Sequence, residues 1–204
     1  MAPKLQTVAA IALAALVTGA AARPLALNGA VIGMTIGEWR ALDPPAGEGA
    51  NAFPNCWALD SAGRIAGRPM TATERATHIV VCAYDARYGE TWSSHSFYLD
   101  PRLPTLRAHD VRYLFTDGRL SEIDYRAAAA ARGQVEALIG RQCGAPARVA
   151  SHGARLVEVW RARGGEVTLT DPSTDPVDLS VHMAGPHAPS PELLRSAFAQ
   201  PGSG

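Results

Sequence analysis

The sequence predicts an α+β fold, rich in β-structure, in which two tandem units each pack a short helix on an antiparallel sheet, behind an N-terminal signal peptide. Three observations favour it. The chain opens with an apolar segment, many later segments alternate apolar and polar residues with the period of a strand, and glycine-containing turns separate them. Because 47% of the 204 residues are hydrophobic and 19% are charged, the composition is that of a folded globular protein.

Residues 1–22 fit the pattern of a cleavable secretory signal of bacterial type. Lys4 supplies the positive start, residues 7–17 are apolar, and residues 20–22 are small alanines at the expected cleavage point. The apolar segment is too short to cross a hydrocarbon core of about 30 Å as a helix. We therefore expect a periplasmic or secreted protein with no integral membrane span, and an uncleaved membrane anchor is the alternative for this segment.

The charge balance argues against one class of partner. The formal net charge is zero at pH 7, and the chain has no basic stripe. Charge-driven binding to nucleic acid needs a positive surface, so we expect no nucleic-acid partner. The partner to look for is an envelope protein, and we expect a monomer or a weak oligomer.

The first unit, residues 23–126, is predicted to begin with a short helix. Thr35 and Glu38 have the spacing of a capping box, and apolar residues at helical spacing follow. Pro44 ends this helix, because a proline denies the residue before it a helical conformation. Residues 44–75 are rich in Gly, Pro and Thr and predict a long ordered loop with short strands.

Antiparallel strands are predicted in the rest of the first unit. Residues 77–84 are apolar on both faces and predict a central strand, whereas residues 91–99 predict a weaker one. Asp117-Gly118 is a strong hairpin signal, since both residues tolerate positive φ. It separates alternating patterns over residues 111–116 and 120–125.

The second unit, residues 127–183, repeats this order of helix and then strands. Residues 127–143 predict a helix that Gly144 ends as the left-handed residue, with Gly133, which weakens the segment, as the alternative start of its regular part. Further strands are predicted over residues 148–150, 156–161, 166–170 and 177–183, with a turn at Gly164-Gly165. The alternative is a single α+β domain of six to eight strands whose halves look alike because hairpins are common.

Residues 184–204 are predicted to form a Pro-rich tail with a short amphipathic helix. Ser190 and Pro191 mark its start, and Leu193, Leu194 and Phe198 lie on one apolar stripe. A helix of about eight residues is unstable alone in water. We expect the stripe to dock on the protein's own core, with docking on a partner or fraying as the alternatives.

The three cysteines allow at most one disulfide bond, and export permits it. We predict the bond between Cys56 and Cys82, because it would close a loop rich in Gly, Pro and Thr. Cys143 fits the apolar face of its predicted helix and is interpreted as a small buried hydrophobic residue.

Two short motifs resemble a known group of proteins. Ile32-Gly33-Met34-Thr35 precedes the first helix, and Phe115-x-Asp117-Gly118-x-Leu120-x-x-Ile123 surrounds the hairpin. Together they resemble the small outer-membrane assembly lipoproteins and the tandem-repeat β-lactamase inhibitory proteins. The resemblance covers residues 31–125, and a weaker similarity covers residues 134–183. The chain departs from them by lacking a lipid-anchoring cysteine and a Gly-Xaa-Pro turn after the first helix, and by a long insert over residues 43–76. The resemblance implies a binding module rather than an enzyme.

The sequence contains no recognisable catalytic or metal motif, so we assign no catalytic residue, no metal ligand and no cofactor. Trp57 and Trp92 are the candidate binding face, since exposed aromatic residues anchor many interfaces. Core packing is the alternative for both. The predicted function is a non-catalytic binding or inhibitory module of the cell envelope.

The alternative function is a small periplasmic hydrolase or metal-assisted enzyme that uses His and Asp residues. It requires His78, His95, Asp110 or Cys143 to converge in one pocket.

Two further patterns belong to this alternative. Glu122 and Asp124 point the same way on a predicted strand and are expected to pair with Arg112 and Arg126 at the surface. His182 and His187 have a spacing that fits no rigid zinc template.

Overall fold

The structure is a computed structural model that describes residues 24–47, 52–58, 79–88, 91–94, 96–103, 105–152, 155–171, 178–186 and 188. The helices are α1 (Ile36–Arg40) and α2 (Arg132–Cys143), and a 3-10 turn over Ala129–Ala131 precedes α2. The strands are, in chain order, β1 (Ala26–Leu27), β2 (Ala30–Val31), β3 (Ala52–Ala58), β4 (Ile79–Tyr88), β5 (Thr91–Ser94), β6 (Phe97–Tyr98), β7 (Arg107–Thr116), β8 (Arg119–Ala128), β9 (Arg148–His152), β10 (Arg155–Ala162), β11 (Gly165–Thr170) and β12 (Asp178–Ala184).

A single antiparallel sheet organises the described residues. Its long strands lie in the order β3-β4-β7-β8-β12-β11-β10-β9, with β5 beside β4 and β6 beside β7. The strands before α2 end at β8, those after it end at β12, and these two strands pair with each other in the middle of the sheet. The strands β1 and β2 form a separate small hairpin. The sequence prediction of a β-rich α+β fold with antiparallel strands is therefore confirmed.

Both helices lie on the same face of this sheet, here called the helix face. Residues directly opposite each other in antiparallel strands lie on the same face of the sheet. A continuous series of such pairs runs from Tyr113 on β7 to Trp160 on β10, so these two residues lie on the same face. Trp39 of α1 packs 5.1 Å from the Tyr113 ring, between ring centroids. At the other end, Arg132 of α2 binds Glu158, which lies two residues before Trp160 on the same face.

Aromatic packing holds α1 on the sheet. Trp39 is fully buried, and its ring centroid lies 4.8 Å from that of Tyr84 and 5.9 Å from that of Phe115. A five-residue helix has no stability of its own, so this burial and the cap hold it in place. The capping box is present as predicted, with the Thr35 hydroxyl accepting from the Glu38 amide and the Glu38 carboxylate accepting from the Thr35 amide at 2.7 Å.

The β7–β8 hairpin forms where the sequence predicts it. Asp117 and Gly118 both have positive φ, of 52° and 75°, and they connect the paired residues Thr116 and Arg119. Such a turn matches the right-handed twist of the strands it joins.

The helix predicted over residues 127–143 does not start at Ala127, but close to the alternative start at Gly133. Strand β8 continues to Ala128, and the helix begins only at Arg132 after the 3-10 turn. Ala127 is fully buried opposite Leu179 of β12. Burial in the sheet outweighs the high helix propensity of alanine at this position, because propensity differences between ordinary residues are at most about 0.7 kcal/mol. Gly144 has the predicted positive φ, of 80°.

The remaining strand predictions differ in detail. Residues 91–99 form the two short strands β5 and β6 instead of one, and Cys56, expected in a loop-like region, lies within β3. The four strands predicted after α2 are present as β9 to β12 with slightly different ends. The predicted signal over residues 1–22 and the predicted tail helix lie outside the described residues. None of the described helices is long and apolar enough to cross a membrane.

Candidate functional site

The face of the sheet opposite the helices, here called the second face, carries the candidate site. Ile123 and Tyr125 of β8 belong to the hydrophobic core, so strand alternation places Glu122 and Asp124 on the second face. His182 of β12 lies directly opposite Asp124 in the register. The pairing of β8 with β12 thus brings two carboxyl groups and one imidazole together.

The imidazole of His182 lies between the two carboxyl groups. Its Nδ1 is 2.7 Å from Oδ1 of Asp124, which is a hydrogen bond. Its Nε2 is 3.6 Å from Oε2 of Glu122, which is beyond hydrogen-bond distance. The side chain of Glu122 is 0% exposed, whereas those of Asp124 and His182 are 26% and 32% exposed.

Glu122 is a buried carboxyl group without a hydrogen-bond partner among the described residues. Burial raises the pKa of Glu122 to about 8; the charge of Asp124 adds to this rise and that of His182 opposes it. Burial thus favours the protonated, uncharged form of this carboxyl group, because an unpaired charge is costly in a buried position.

The pKa of His182 is raised, whereas the pKa of an ordinary buried histidine is lowered. Burial lowers the pKa of His182, but the hydrogen bond and charge of Asp124 and the charges of Glu122 and Glu166 outweigh burial and raise the pKa overall. The Asp124 bond also holds the ring so that Nε2 faces Glu122.

This arrangement can hold a proton or a cation, but the described residues supply no nucleophile to it. An imidazole fixed by a carboxylate is one part of a nucleophilic triad, which also needs a Ser, Thr or Cys side chain on the free ring nitrogen. In the described part of the chain no such side chain is hydrogen-bonded to His182.

Comparisons of this chain with protein-family models, with curated proteins and with solved structures found no match. The site is therefore interpreted from its own geometry.

A second histidine–aspartate pair lies nearby on the same face. His109 of β7 lies opposite Arg126, and its Nε2 is 3.0 Å from Oδ2 of Asp178 on β12. The exposures of the two side chains, 33% and 25%, are close to those of the His182–Asp124 pair. The pair has no buried carboxyl group beside it among the described residues, so it serves as an internal reference for the first pair.

The described contacts of Glu122, Asp124 and Arg126 differ from the surface ion pairs expected for the acids of β8. Glu122 is buried with no hydrogen-bond partner among the described residues, Asp124 bonds to His182, and Arg126 lies 3.8 Å from Asp110. The prediction was wrong because it treated β8 as one side of an isolated hairpin, whereas the structure adds β12 along its other edge.

The predicted cysteine pairing is present in the structure. Cys56 and Cys82 lie directly opposite each other on β3 and β4 and form the disulfide bond. Cys143 is a free thiol that is half-buried against the core, less enclosed than predicted, and burial raises its pKa.

Several other predicted residues lie beyond what the structure describes. Trp57 and Trp92 belong to β3 and β5, and their side chains lie outside the described part of the structure. His78, His95 and His187 also lie outside the described residues. The proposed convergence of these histidines with Asp110 and Cys143 therefore stays a prediction.

The two motifs that carry the family resemblance meet in the fold. The Gly33 amide donates to the Leu120 carbonyl at 2.7 Å, and the Leu120 amide donates to the Met34 carbonyl at 2.8 Å. A cavity of about 630 Å³ opens beside this junction, lined among others by Ile32, Leu120, Ser121 and Pro186. In this chain the motif residues join the segment before α1 to the β7–β8 hairpin.

The group of three site residues was missed as a group. The sequence pattern relates Glu122 to Asp124, and His182 to His187, but it does not relate one pair to the other. The available signal was the clean alternation of residues 177–183, which places His182 on a polar face. Alternation does not say which strand lies alongside, so the contact with Asp124 could not be predicted.

Proposed function

We propose that this chain is an exported, non-catalytic binding or inhibitory module of the cell envelope, made of two tandem helix-plus-sheet units over residues 23–126 and 127–183. The observation that carries the proposal is that α1 and α2 pack on one face of a continuous sheet. Neither helix reaches the second face in the described part of the chain. Leu114 and Glu122 on the second face are buried, but the part of it around Arg126, Asp178 and Ser180 carries partly or fully exposed polar side chains. An exposed polar patch of this kind is typical of surfaces on which one folded protein binds another.

The composition of the second face favours a protein partner. It carries the His182–Asp124 and His109–Asp178 pairs, all partly exposed, and the exposed Arg126. Charges of both signs alternate there, which gives orientation and selectivity to a protein interface and little attraction for a polyanion.

Site-specific photo-cross-linking in the exporting cell tests this proposal. A photoreactive residue at the exposed Ser180 on the second face should give one discrete protein adduct in the envelope, and excess unlabelled protein should compete it away. The matched control carries the same residue at the exposed Gln134 on α2 and should give no such adduct.

The captured partner then allows a direct affinity measurement. With purified proteins, Ser180→Arg should weaken binding at least tenfold by the insertion of a bulky charge into the interface, whereas Gln134→Arg should not. Equal adducts from both positions, or equal affinities for both variants, would contradict the proposal.

The enzyme alternative retains one specific observation in its favour, the grouping of Glu122, Asp124 and His182. Since no nucleophile contacts the ring among the described residues, hydrolysis there would need an activated water. A panel of ester, amide and phosphate substrates tested with wild-type protein and His182→Gln distinguishes the two functions. Turnover that His182→Gln abolishes would favour the enzyme.

A further inference from the structure

The strongest unassigned feature of the second face is its set of convergent donor atoms. Glu122, Asp124 and His182 each offer one ligand atom within 4.8 Å of the others, and no other group of three such residues does so in the described part of the chain. We propose that Glu122 and His182 bind a divalent metal ion of the zinc class and that Asp124 orients the imidazole.

The distances assign a different role to each carboxyl group. Asp124 occupies Nδ1 of His182 at 2.7 Å, which leaves Nε2 as the nitrogen for a metal. Carboxylate–histidine–metal arrangements of this kind are common, because the outer carboxylate fixes the tautomer and the direction of the ring. Asp124 is therefore a positioning residue and not a ligand.

The separation of the two inner donors fits one ion. Nε2 of His182 and Oε2 of Glu122 are 3.6 Å apart. An ion bonded to both at about 2.1 Å would see them at an angle of about 118°, close to the tetrahedral angle that zinc prefers. The same two atoms are too far apart for a direct hydrogen bond, so a bridging ion would occupy a gap that exists already.

The burial of Glu122 is the independent observation that points to a ligand. Both of its carboxyl oxygens are buried and have no hydrogen-bond partner among the described residues. Native proteins rarely leave such atoms unpaired, and metal coordination is one way to satisfy them. The ion would enter from the side of His182, whose side chain is 32% exposed.

The donor types select the class of metal. One imidazole nitrogen with one carboxylate oxygen suits Zn²⁺, Cu²⁺ and Ni²⁺ better than Mg²⁺ or Ca²⁺, which prefer sets of oxygen ligands. Two protein ligands leave further positions to solvent, so we expect weaker binding than that of a closed structural site with four protein ligands.

Zinc titration of the metal-free protein tests the inference. Calorimetry and competition with a chromogenic chelator should give one Zn²⁺ per chain for the wild type. His182→Gln and Glu122→Gln should each weaken binding more than tenfold, and Asp124→Asn should weaken it by about 10- to 100-fold through loss of ring orientation.

The control is His109→Gln, which removes a histidine of nearly the same exposure that is also paired with an aspartate. It should bind Zn²⁺ like the wild type. Zn²⁺ should also raise the melting temperature of the wild type and of His109→Gln but not that of His182→Gln, because only a ligand of the folded state stabilises it.

Three results would overturn the inference. They are no stoichiometric binding to the wild type, equal binding by wild type, Glu122→Gln and His182→Gln, and equal losses in His109→Gln and His182→Gln. Circular dichroism of each metal-free variant establishes that it is folded before titration. Since Zn²⁺ binding and cross-linking from Ser180 are separate measurements, failure of this inference leaves the proposed binding function standing.

Discussion

Two glycines at the junction of β11 and β12 show how closely the backbone packs there. A Cβ atom on Gly165 would overlap the carbonyl oxygen of Ala184 and come within 2.8 Å of Leu25. A Cβ atom on Gly185 would lie 2.6 Å from Cγ2 of Ile32. At both positions the missing side chain allows the segment before α1 to lie against the ends of the strands.

Replacement of Gly165 by alanine should destabilise the protein by about 1–3 kcal/mol, because the backbone of β12 has to move away. The matched control is Gly140→Ala within α2, where a Cβ atom would meet nothing within 4 Å. That change should stabilise the protein by about 0.5–1 kcal/mol through the better helix propensity of alanine. Urea denaturation measures both values, and changes of the same sign would contradict the packing argument.

Individual elements are tied to the sheet by a small number of strong contacts. The α2 helix begins at Arg132, whose guanidinium binds the carboxylates of Glu136, Glu158 and Asp171. These acids come from α2 itself, from β10 and from the residue after β11, so one side chain joins three parts of the fold. Three carboxylates against one guanidinium leave an excess of negative charge in a half-buried position.

The pKa of Glu158 is raised, first by burial and then by the nearby Glu136, while Arg132 opposes the rise. A carboxyl group whose pKa is higher in the folded state stabilises the protein below its unfolded pKa, and this stabilisation is lost as pH rises through the folded value. We therefore expect wild type to lose stability relative to Glu158→Gln as pH rises above about 4.5, the ordinary pKa of a glutamate. Urea unfolding of both proteins at a series of pH values above this one measures the difference, and parallel curves would contradict it.

The disulfide bond is the covalent link between β3 and β4. Cys56 and Cys82 are 26 residues apart in sequence, so the bond closes a sizeable loop in the unfolded chain. The chain-entropy estimate for a loop of this length is about 3.5 kcal/mol.

The double variant Cys56→Ala/Cys82→Ala should therefore unfold at a lower urea concentration, with a loss of up to about 3.5 kcal/mol. Cys143→Ala is the control and should change stability by less, because its side chain is only half-buried. Thiol counting gives a second readout, with one thiol in the unfolded oxidised protein and three after reduction. Three thiols before reduction would show that the bond is not formed.

At the scale of the whole molecule, the pairing of β8 with β12 decides how the two halves of the chain are related. Seven residue pairs join these strands, from Asp178 opposite Ala128 to Ala184 opposite Glu122. The core is continuous across the junction, with Tyr125 of β8 and Val181 of β12 opposite each other and both buried.

Amide hydrogen exchange should find the slowest amides in β8 and β12, because these strands lie in the middle of the sheet, farthest from its two edges, and exchange only when the whole sheet opens. The outermost strands β3 and β9 should exchange faster, since each is paired on one edge. Mass spectrometry of peptides from native protein measures this order. Rapid exchange at the β8–β12 junction with both halves protected would show instead that the halves unfold as separate units.

Local signals in the sequence determined the features whose causes lie within a few residues. Thr35 and Glu38 specify the start of α1, and Asp117-Gly118 specifies the β7–β8 turn, because the bonds and backbone angles involved are local. The pairing of Cys56 with Cys82 followed from a count of three cysteines and the composition of the loop between two of them.

Tertiary structure alone decided which strands lie side by side, and with that the candidate site. Ala127 has a helix-like local sequence but is in a strand because β12 buries it, and Glu122 looks like a surface acid but is enclosed in the sheet. Strand pairing is selected by the burial of whole faces and joins residues more than fifty positions apart, such as Asp124 and His182. Sequence periodicity assigns a side chain to a face, whereas only the folded sheet assigns its neighbour.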